Sequence, residues 1–363
     1  ANEEDFELYD NFNIADKITG NENWWDLVAY RRELATPGLN FYVDKVAQRR
    51  WLPTVGMPIP RPFLCRYASE LPVPSQNSGI PDERVTIKTM LPQESSYAAK
   101  PSHTSCSDGV WLVKHENGAT KISDRGHTMK EADDGALDKI AASLAKNLHE
   151  DPRELESVAL KTVSHGFVVE ERFTSIEGDD GPAMEFKIFC FWGRVWLANW
   201  RRGNTRYGLL NRNGEVIDWV KKKKKHTKLP DWVDWNRVIE IAEKMAKHKD
   251  AFRVDIFVGL PASSPVLNKE GASEEEKKAA VEIVISEFET HPTTRFVDPR
   301  LFDEAARLWI AGYKRLNYKV IPNDEIPTTF LEHSRFPAPA ESREFVKTKH
   351  TTRNFSVAGV NLG

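Results

Sequence analysis

Residues 252–257 read Phe-Arg-Val-Asp-Ile-Phe, and residues 283–289 read Ile-Val-Ile-Ser-Glu-Phe-Glu. Both are short apolar runs typical of β-strands. Residues i and i+2 of a strand face the same side, so Glu287 and Glu289 should point together. If the two strands pair, Asp255 joins these acids and Arg253 lies beside them. Hard oxygen ligands grouped in this way suit Mg²⁺ that is shared with phosphate oxygens.

Length and composition narrow the class of protein. A chain of 363 residues suggests two or three lobes, and its 40% hydrophobic and 29% charged residues are ordinary for a globular protein. A formal net charge of -3 argues against a general nucleic-acid coat. No apolar run approaches the roughly 18 residues that a membrane span needs, so no membrane partner is expected.

The N-terminus and the cysteines predict a cytoplasmic protein. Residues 1–5 are acidic and lack the basic and apolar regions of a signal peptide. Cys65, Cys106 and Cys190 are widely spaced, which favours reduced thiols over disulfides or zinc ligands. Because Ala1 need not be the first residue of the gene product, a processed secreted form stays an alternative.

Periodicity predicts a mixture of helices and strands. We expect helices over residues 44–52, 131–149, 235–247 and 299–316. We expect strands at residues 97–101, 111–113, 167–173, 185–191 and 195–200, with residues 85–87 as a strand or a connection. Residues 1–40 read as an N-terminal cap, and residues 259–280 as an insertion.

Two motifs between these elements are weak when taken alone. Lys100 ends a strand and precedes the small polar residues 102–109, whose backbone N–H groups and hydroxyls could wrap phosphate oxygens. A plain surface hairpin loop explains that motif better. Glu185 and Lys187 share one strand face, which by itself predicts an ion pair worth less than about 1 kcal/mol.

The order of the motifs along the chain is more informative, because over residues 44–315 it resembles the ATP-grasp superfamily. Asp44-Lys45 is similar to the family's helix start, with a Gly-x-Pro linker following at residues 56–58. Lys100-Pro101 and the loop after it resemble the lysine strand and lid loop of D-alanine–D-alanine ligases.

The second half of the resemblance lies in the later strands. Residues 168–173 resemble the hinge strand that holds adenine, and Glu185 resembles the glutamate that holds ribose. The segments 253–255 and 287–289 resemble the Arg-x-Asp and Glu-x-Asn metal strands. The aromatic-rich segment at residues 185–193 looks most similar to the branch linked to capsule and teichuronopeptide biosynthesis.

The resemblance implies an α+β ATP-grasp fold with two α+β lobes that clamp ATP. The implied divisions are an N-terminal cap and linker (1–60), an N-terminal lobe with the lid loop (61–165), a C-terminal lobe with the metal site (166–330) and a C-terminal tail (331–363).

The resemblance also implies a site. The implied nucleotide-binding residues are Lys45, Lys100, Ser105, Ser107, Gly109, Glu170, Glu171, Phe173 and Glu185, with adenine on the backbone of Glu171 and Phe173. Two Mg²⁺ ions, or alternatively Mn²⁺, are expected on Asp255, Glu287 and Glu289. Arg253 and Lys187 are the implied catalytic residues.

The implied activity is that of an ATP-dependent, ADP-forming carboxylate–amine ligase. A substrate carboxylate is phosphorylated to an acyl phosphate, and an amine then displaces phosphate to form an amide, on amino-acid or peptide-like substrates. The alternatives are an ATP-grasp kinase for a small molecule and a nucleotide-binding module without turnover.

Two departures from the family pattern leave the substrates open. Glu289 stands where the metal motif usually has Asn, and residues 290–294 lack the small-residue loop of many ligases. The lysine run at residues 221–225 is explained by a solvated loop, by contact with the γ-phosphate, or by a tRNA, nucleotide or acidic-polymer partner. Nothing in the sequence indicates the oligomeric state.

Overall fold

The computed structural model describes residues 5–34, 36–72, 82–105, 107–116, 118–124, 129–133, 135–153, 156–177, 181–217, 228–291, 296 and 298–326. Its helices are α1 (Trp24–Glu33), α2 (Pro37–Val43), α3 (Lys45–Trp51), α4 (Glu83–Met90), α5 (Ala136–His149), α6 (Val158–Lys161), α7 (Trp235–Ala246), α8 (Pro265–Asn268), α9 (Glu274–Ala279) and α10 (Pro299–Arg315).

Two six-stranded sheets and one two-stranded sheet contain the strands. In chain order these are β1 (Phe6–Tyr9), β2 (Pro62–Tyr67), β3 (Tyr97–Pro101), β4 (Trp111–Glu116), β5 (Ala119–Asp124), β6 (Lys130–Glu131), β7 (Gly166–Glu171), β8 (Phe173–Thr174), β9 (Met184–Phe191), β10 (Arg194–Arg202), β11 (Thr205–Asn211), β12 (Ala251–Pro261), β13 (Glu282–Glu289) and β14 (Tyr318–Ile321).

The first sheet is antiparallel, with strand order β2-β7-β3-β4-β5-β6. Ile140 and Leu144 of α5 lie one turn apart, so they share a face and pack on this sheet in a core with Val169. Helix α3 lies against the other face, where Val46 contacts Val168. The first sheet is therefore covered on both sides.

The second sheet has strand order β11-β10-β9-β12-β13, with β8 paired to the end of β12. Phe186 and Ile188 of β9 and Val254 and Ile256 of β12 lie in the large core that α7 also enters. Because side chains alternate along a strand, the residues between these positions lie on the opposite face, where Lys187 and Asp255 are cross-strand neighbours. That opposite face carries the charged residues described below.

The N-terminal residues belong to the core of the second sheet. Strand β1 pairs in parallel with β14, and α1 packs against α10, where the Trp24 and Trp309 rings lie 5.6 Å apart. The buried Arg31 guanidinium donates to Asp250 at 2.5 Å, and Asp250 also accepts from Trp309 and Tyr313. Residues 1–40 were expected to form a cap, but the described part of this segment is built into the main core.

The predicted α+β class is confirmed, and most predicted elements form within a few residues of their expected bounds. Residues 85–87 are helical, because Asp82 caps α4 by accepting from the Arg84 N–H. The helix expected from residue 131 begins at Ala136, after the short strand β6. The lobe division at residues 165 and 166 stays a prediction; β7, which begins at Gly166, pairs within the first sheet.

Among the described residues, no helix is long and apolar enough to cross a membrane.

Candidate functional site

The inner face of the second sheet carries rows of charged side chains. Lys187, Asp255 and Glu287 are direct cross-strand neighbours on β9, β12 and β13. Arg253 and Glu289 are opposite each other in the next row. This face is turned away from the apolar core and towards α3 and the first sheet, as the contacts below show.

Asp255 is the most strongly paired carboxylate of this face. Lys187 Nζ lies 2.7 Å from its Oδ2, and the Arg253 guanidinium donates to both oxygens at 2.7 and 2.9 Å. Burial raises the pKa of Asp255, but Arg253 and Lys187 outweigh burial and lower it. Asp255 is therefore held ionised, and in turn it fixes the two predicted catalytic cations.

The two glutamates of β13 have different surroundings. Lys45 Nζ lies 3.2 Å from Glu287, and although desolvation raises the pKa of Glu287, Lys45 lowers it below the ordinary value. Glu289 lies 3.6 Å from Arg253 and 3.3 Å from His291. Burial raises the pKa of Glu289 to about 7.

A buried arginine joins the two sheets at one point. Arg49 of α3 donates to Glu170 Oε2 of β7 at 2.5 Å and to the Ser286 carbonyl of β13 at 2.5 Å. Ser286 lies at the register shift between the Asp255–Glu287 and Ile256–Ile285 pairs. Such a bulge leaves its extra residue outside the ladder, so the Ser286 carbonyl is available to the arginine.

The same glutamate holds the lysine of the first sheet. Lys100 Nζ lies 2.5 Å from Glu170 Oε1. Burial raises the pKa of Glu170, but Arg49 and Lys100 outweigh it and lower the value to about 2. Glu170 therefore remains ionised at neutral pH and fixes the position of Lys100.

The predicted hinge residues make contacts within the protein. The backbone N–H of Glu171 donates to the Arg61 carbonyl at 2.9 Å, and its carboxylate accepts from the Ser263 N–H at 2.7 Å. The Glu171 N–H is therefore bonded within the protein, and the adenine contact with the backbone of Glu171 and Phe173 stays a prediction. The Phe173 ring lies in a small apolar cluster with Ala183, Val284 and Phe257.

The predicted lid loop makes contacts with Glu156 and with Lys45 of α3. Ser105 Oγ donates to Glu156 at 2.5 Å, and the Thr104 carbonyl accepts from Lys45 Nζ at 2.6 Å. Ser107 and Gly109 have positive φ angles of 61° and 69°. A Cβ at position 109 would come within 2.8 Å of Pro101, so the turn requires glycine there.

A cavity of about 320 Å³ lies beside this loop, between it and the end of α5. Its lining includes Ser105 and Asp108 of the loop and the acidic residues Glu150, Asp151 and Glu156.

The predicted residues thus fall into three groups. Lys45, Lys187, Arg253, Asp255, Glu287 and Glu289 meet through direct contacts on the inner face of the second sheet, and Glu185 joins them through Lys187 at 3.5 Å. Lys100 and Glu170 pair on the first sheet. Phe173 and Glu171 lie where the two sheets are linked, and the loop residues Ser105, Ser107 and Gly109 lie near Lys45 through Thr104. The lysine run at 221–225 lies outside the described residues.

Sequence reasoning missed Arg49, although a signal was present. Arg49 follows Lys45 by four residues, so both lie on one face of α3. Once Lys45 is assigned to the site, helical spacing predicts that Arg49 lies on the same side of α3 and belongs to the site as well.

The carboxylates fit Mg²⁺ by their chemistry, although the protein alone does not enclose an ion. In the part of the chain that the structure describes, no group of three His, Cys, Asp or Glu side chains is arranged to hold a metal. The assignment of metal ligands to Asp255, Glu287 and Glu289 stays a prediction. Mg²⁺ at phosphoryl-transfer sites is commonly held by one or two carboxylates together with substrate phosphates, which Asp255 and Glu287 could provide.

No protein-family model and no curated protein sequence matches the chain. Several solved structures resemble it at low identity. A D-alanine–D-alanine ligase from Bacillus anthracis complexed with ATP shares 14% identity at a TM-score of 0.37, over 80% of this chain and 69% of that one. A D-cycloserine synthetase shares 15% identity at a TM-score of 0.38, over 77% of this chain and 72% of that one.

The ATP-grasp ligase PsnB, complexed with a precursor variant, Mg and ADP, shares 12% identity at a TM-score of 0.37, over 80% of this chain and 66% of that one. All three TM-scores are below 0.5, so these likenesses do not by themselves assign a function to the chain.

Proposed function

We propose that the chain is an ATP-dependent carboxylate–amine ligase of the ATP-grasp type, which uses Mg²⁺ and forms ADP. The observation that carries the proposal is the convergence of Lys45 and Arg49 from α3 with Lys187, Asp255 and Glu287 on one sheet face. Interleaved cations and carboxylates suit a transferring phosphoryl group, since both phosphate oxygens and a metal ion need partners there.

Each residue has a role in this proposal that follows from its contacts. Asp255 and Glu287 would hold Mg²⁺, which would neutralise charge on the nucleotide phosphates. Lys45 and Lys100 would exchange their present carboxylate partners for phosphate oxygens, because both are at least partly exposed. Arg253 and Lys187, fixed by Asp255, would stabilise negative charge on the transferring group.

The nucleotide base has a candidate position as well. The buried residues Phe173, Ala183 and Val284 form an apolar cluster with the partly exposed Phe257. This cluster lies next to the charged rows, since Phe257 and Val284 continue the strands that carry Asp255 and Glu287. Lys100 Nζ lies 5.9 Å from the Phe257 ring centre, which brings this surface close to a phosphate-binding lysine. Glu185, directly opposite Phe257 on β9, would accept from ribose hydroxyls.

The proposed reaction has two steps. A substrate carboxylate oxygen attacks the γ-phosphorus and ADP leaves, which gives an acyl phosphate. The amine nitrogen then attacks the acyl carbon, inorganic phosphate leaves, and the nitrogen loses a proton. The substrates are proposed to be amino-acid or peptide-like, and the relation to the capsule and teichuronopeptide branch is part of the same proposal.

A substrate screen tests the proposal. Purified protein with Mg²⁺ and ATP would be offered pairs of amino acids and short peptides, with phosphate release followed by mass spectrometry of the products. ADP together with an amide is the expected result. ADP with a phosphorylated product and no amide would indicate a kinase. ATP binding without hydrolysis under any pair would indicate a nucleotide-binding module.

A further inference from the structure

Two arginines are opposed at the far edge of the charged face. Arg201 of β10 and Arg206 of β11 are direct cross-strand partners. Like charges in this arrangement destabilise a strand pair. Partial burial and the charge of Arg201 lower the pKa of Arg206. Glu185, 3.2 Å from Arg201 Nε, offsets part of the energetic cost of this pair, and a bound anion beside Arg206 would offset more of it.

The donors of these arginines are largely uncommitted. Arg201 uses its Nε for the Gly203 carbonyl at 2.8 Å and for Glu185 at 3.2 Å. Within the described ranges its terminal amino nitrogens make no hydrogen bond, and Arg206 has neither an ion pair nor a hydrogen bond from its guanidinium. Planar guanidinium forks of this kind match carboxylate and phosphate groups.

A third polar group lies on the same face. Asn199 precedes Arg201 by two residues and is opposite Lys187. It is 4% exposed, and its Oδ1 has no hydrogen-bond partner among the described residues. An unpaired buried acceptor is costly, so a ligand N–H would be favourable beside the two anion-binding forks.

The sheet order separates this edge from the proposed phosphate site. β11 is three strands from β12, which carries Asp255, and strands are spaced by roughly 4.8 Å, so the two backbones are about 14 Å apart. One phosphoryl group cannot be held by both Asp255 and Arg206. An extended peptide rises about 3.3 Å per residue and spans that distance in about four residues.

We propose that Arg201 and Arg206, with Asn199, form a subsite for the carboxylate of an extended, peptide-like substrate. The proposal rests on the function proposed above and makes the substrate longer than a single amino acid. The same guanidinium chemistry would accept a nucleotide phosphate, so the experiment must separate these two sources.

Chemical modification tests the subsite without a known substrate. Phenylglyoxal labelling, mapped by peptide mass spectrometry, would be measured with the probes succinate and inorganic phosphate, each with and without saturating ADP and Mg²⁺. Both probes should slow labelling of Arg206 by roughly tenfold, also in the presence of the nucleotide. Arg194, exposed at the other end of β10, is the control and should be unaffected.

Two results would overturn the subsite. One is equal labelling of Arg206 and Arg194 at all probe concentrations. The other is full protection of Arg206 by ADP and Mg²⁺ with no further effect of succinate, which would assign the anion to the nucleotide.

Kinetics with an acceptor from the substrate screen give a second, independent test. Arg206→Gln should raise the acceptor KM about tenfold and leave kcat and the KM for ATP within about twofold, whereas Arg194→Gln should change none of them. An unchanged acceptor KM would contradict the proposed subsite but would not affect the ligase proposal. Absence of any turnover in the wild-type protein would sink the ligase proposal, and the labelling result would remain interpretable.

Discussion

At the scale of single residues, Glu287 offers the sharpest test of the charged face. Glu287→Gln keeps the size of the side chain but removes the charge that pairs with Lys45. We expect ATP turnover to fall by about 100-fold or more, because charge at the phosphoryl site is lost. The free energy of unfolding should change little, since the side chain is 36% exposed.

The matched control is Glu282→Gln, at the exposed start of the same strand. It should retain wild-type phosphate release in the same assay. Wild-type turnover in Glu287→Gln would remove this residue from the proposed metal site.

The low pKa of Glu170 predicts how the stability of the protein depends on pH. Its pKa is about 2 in the folded protein against an ordinary 4.5, so the unfolded chain takes up the proton first as pH falls. Its stabilising contribution is complete above pH 4.5 and is lost as pH falls towards 2, and it amounts to about 3 kcal/mol. Glu170→Gln should therefore be less stable than wild type at pH 7, and the difference should narrow between pH 4.5 and 2.

Urea unfolding at several pH values would measure that difference, with Glu240→Gln on the exposed face of α7 as the control. A constant difference between Glu170→Gln and wild type across this range would contradict the low pKa.

Residue identities at the site were predictable in part, for a physical reason. Strand alternation and helical spacing are local properties, so Glu185 with Lys187 and Glu287 with Glu289 could be assigned to common faces from the sequence. Which lysine meets which acid depends on long-range packing. The Arg49–Glu170 pair joins residues 121 positions apart, and no local pattern specifies it.

At the scale of elements, Arg49 provides the buried hydrogen bond between α3 and β13, beside the Lys45–Glu287 ion pair. Arg49→Met would leave Glu170 with Lys100 as its remaining cation and the Ser286 carbonyl without its donor. We expect the free energy of unfolding to fall by about 3–5 kcal/mol, as for other broken buried ion pairs.

Denaturant unfolding of Arg49→Met and of Arg237→Met would check this expectation. Arg237 pairs with Glu240 on the exposed face of α7, so its loss should cost no more than about 0.5 kcal/mol. Similar losses in the two variants would show that the junction contributes little.

Elements themselves were easier to predict than their partners. α5, α7 and α10 have regular apolar spacing, and they form close to the expected bounds. The prediction of a strand or connection at residues 85–87 was wrong. The β-branched residues there favour strands, whereas Asp82 supplies a helix cap. The bulge at Ser286 was invisible, since a register shift is a property of two strands together.

At the scale of the whole molecule, Asp250 ties distant parts of the chain together. It accepts from Arg31 of α1 and from Trp309 and Tyr313 of α10, just before β12 begins. Asp250→Ala should lower the free energy of unfolding by about 3–5 kcal/mol, because the buried Arg31 charge would lose its carboxylate partner. Thermal unfolding followed by tryptophan fluorescence would measure the loss.

Asp231→Ala is the control for that experiment, since its side chain is exposed and forms a surface ion pair with Lys228. It should leave the transition temperature almost unchanged. An equally small shift for Asp250→Ala would show that the N-terminal helix is held by apolar packing alone.

Arg49 also lies at a candidate pivot point between the two sheets. It is a buried point where α3, the first sheet and the second sheet meet, so a rotation of the sheets that kept both of its hydrogen bonds would pivot there. Displacement grows with distance from a pivot, and β11 is four strands, or about 19 Å, from β13. The widest swing should therefore occur at the Arg201–Arg206 edge. Distances between a spin label at the Arg201–Arg206 edge and one on the first sheet would change when nucleotide binds. Distances between labels placed on either side of Ser286 would stay constant.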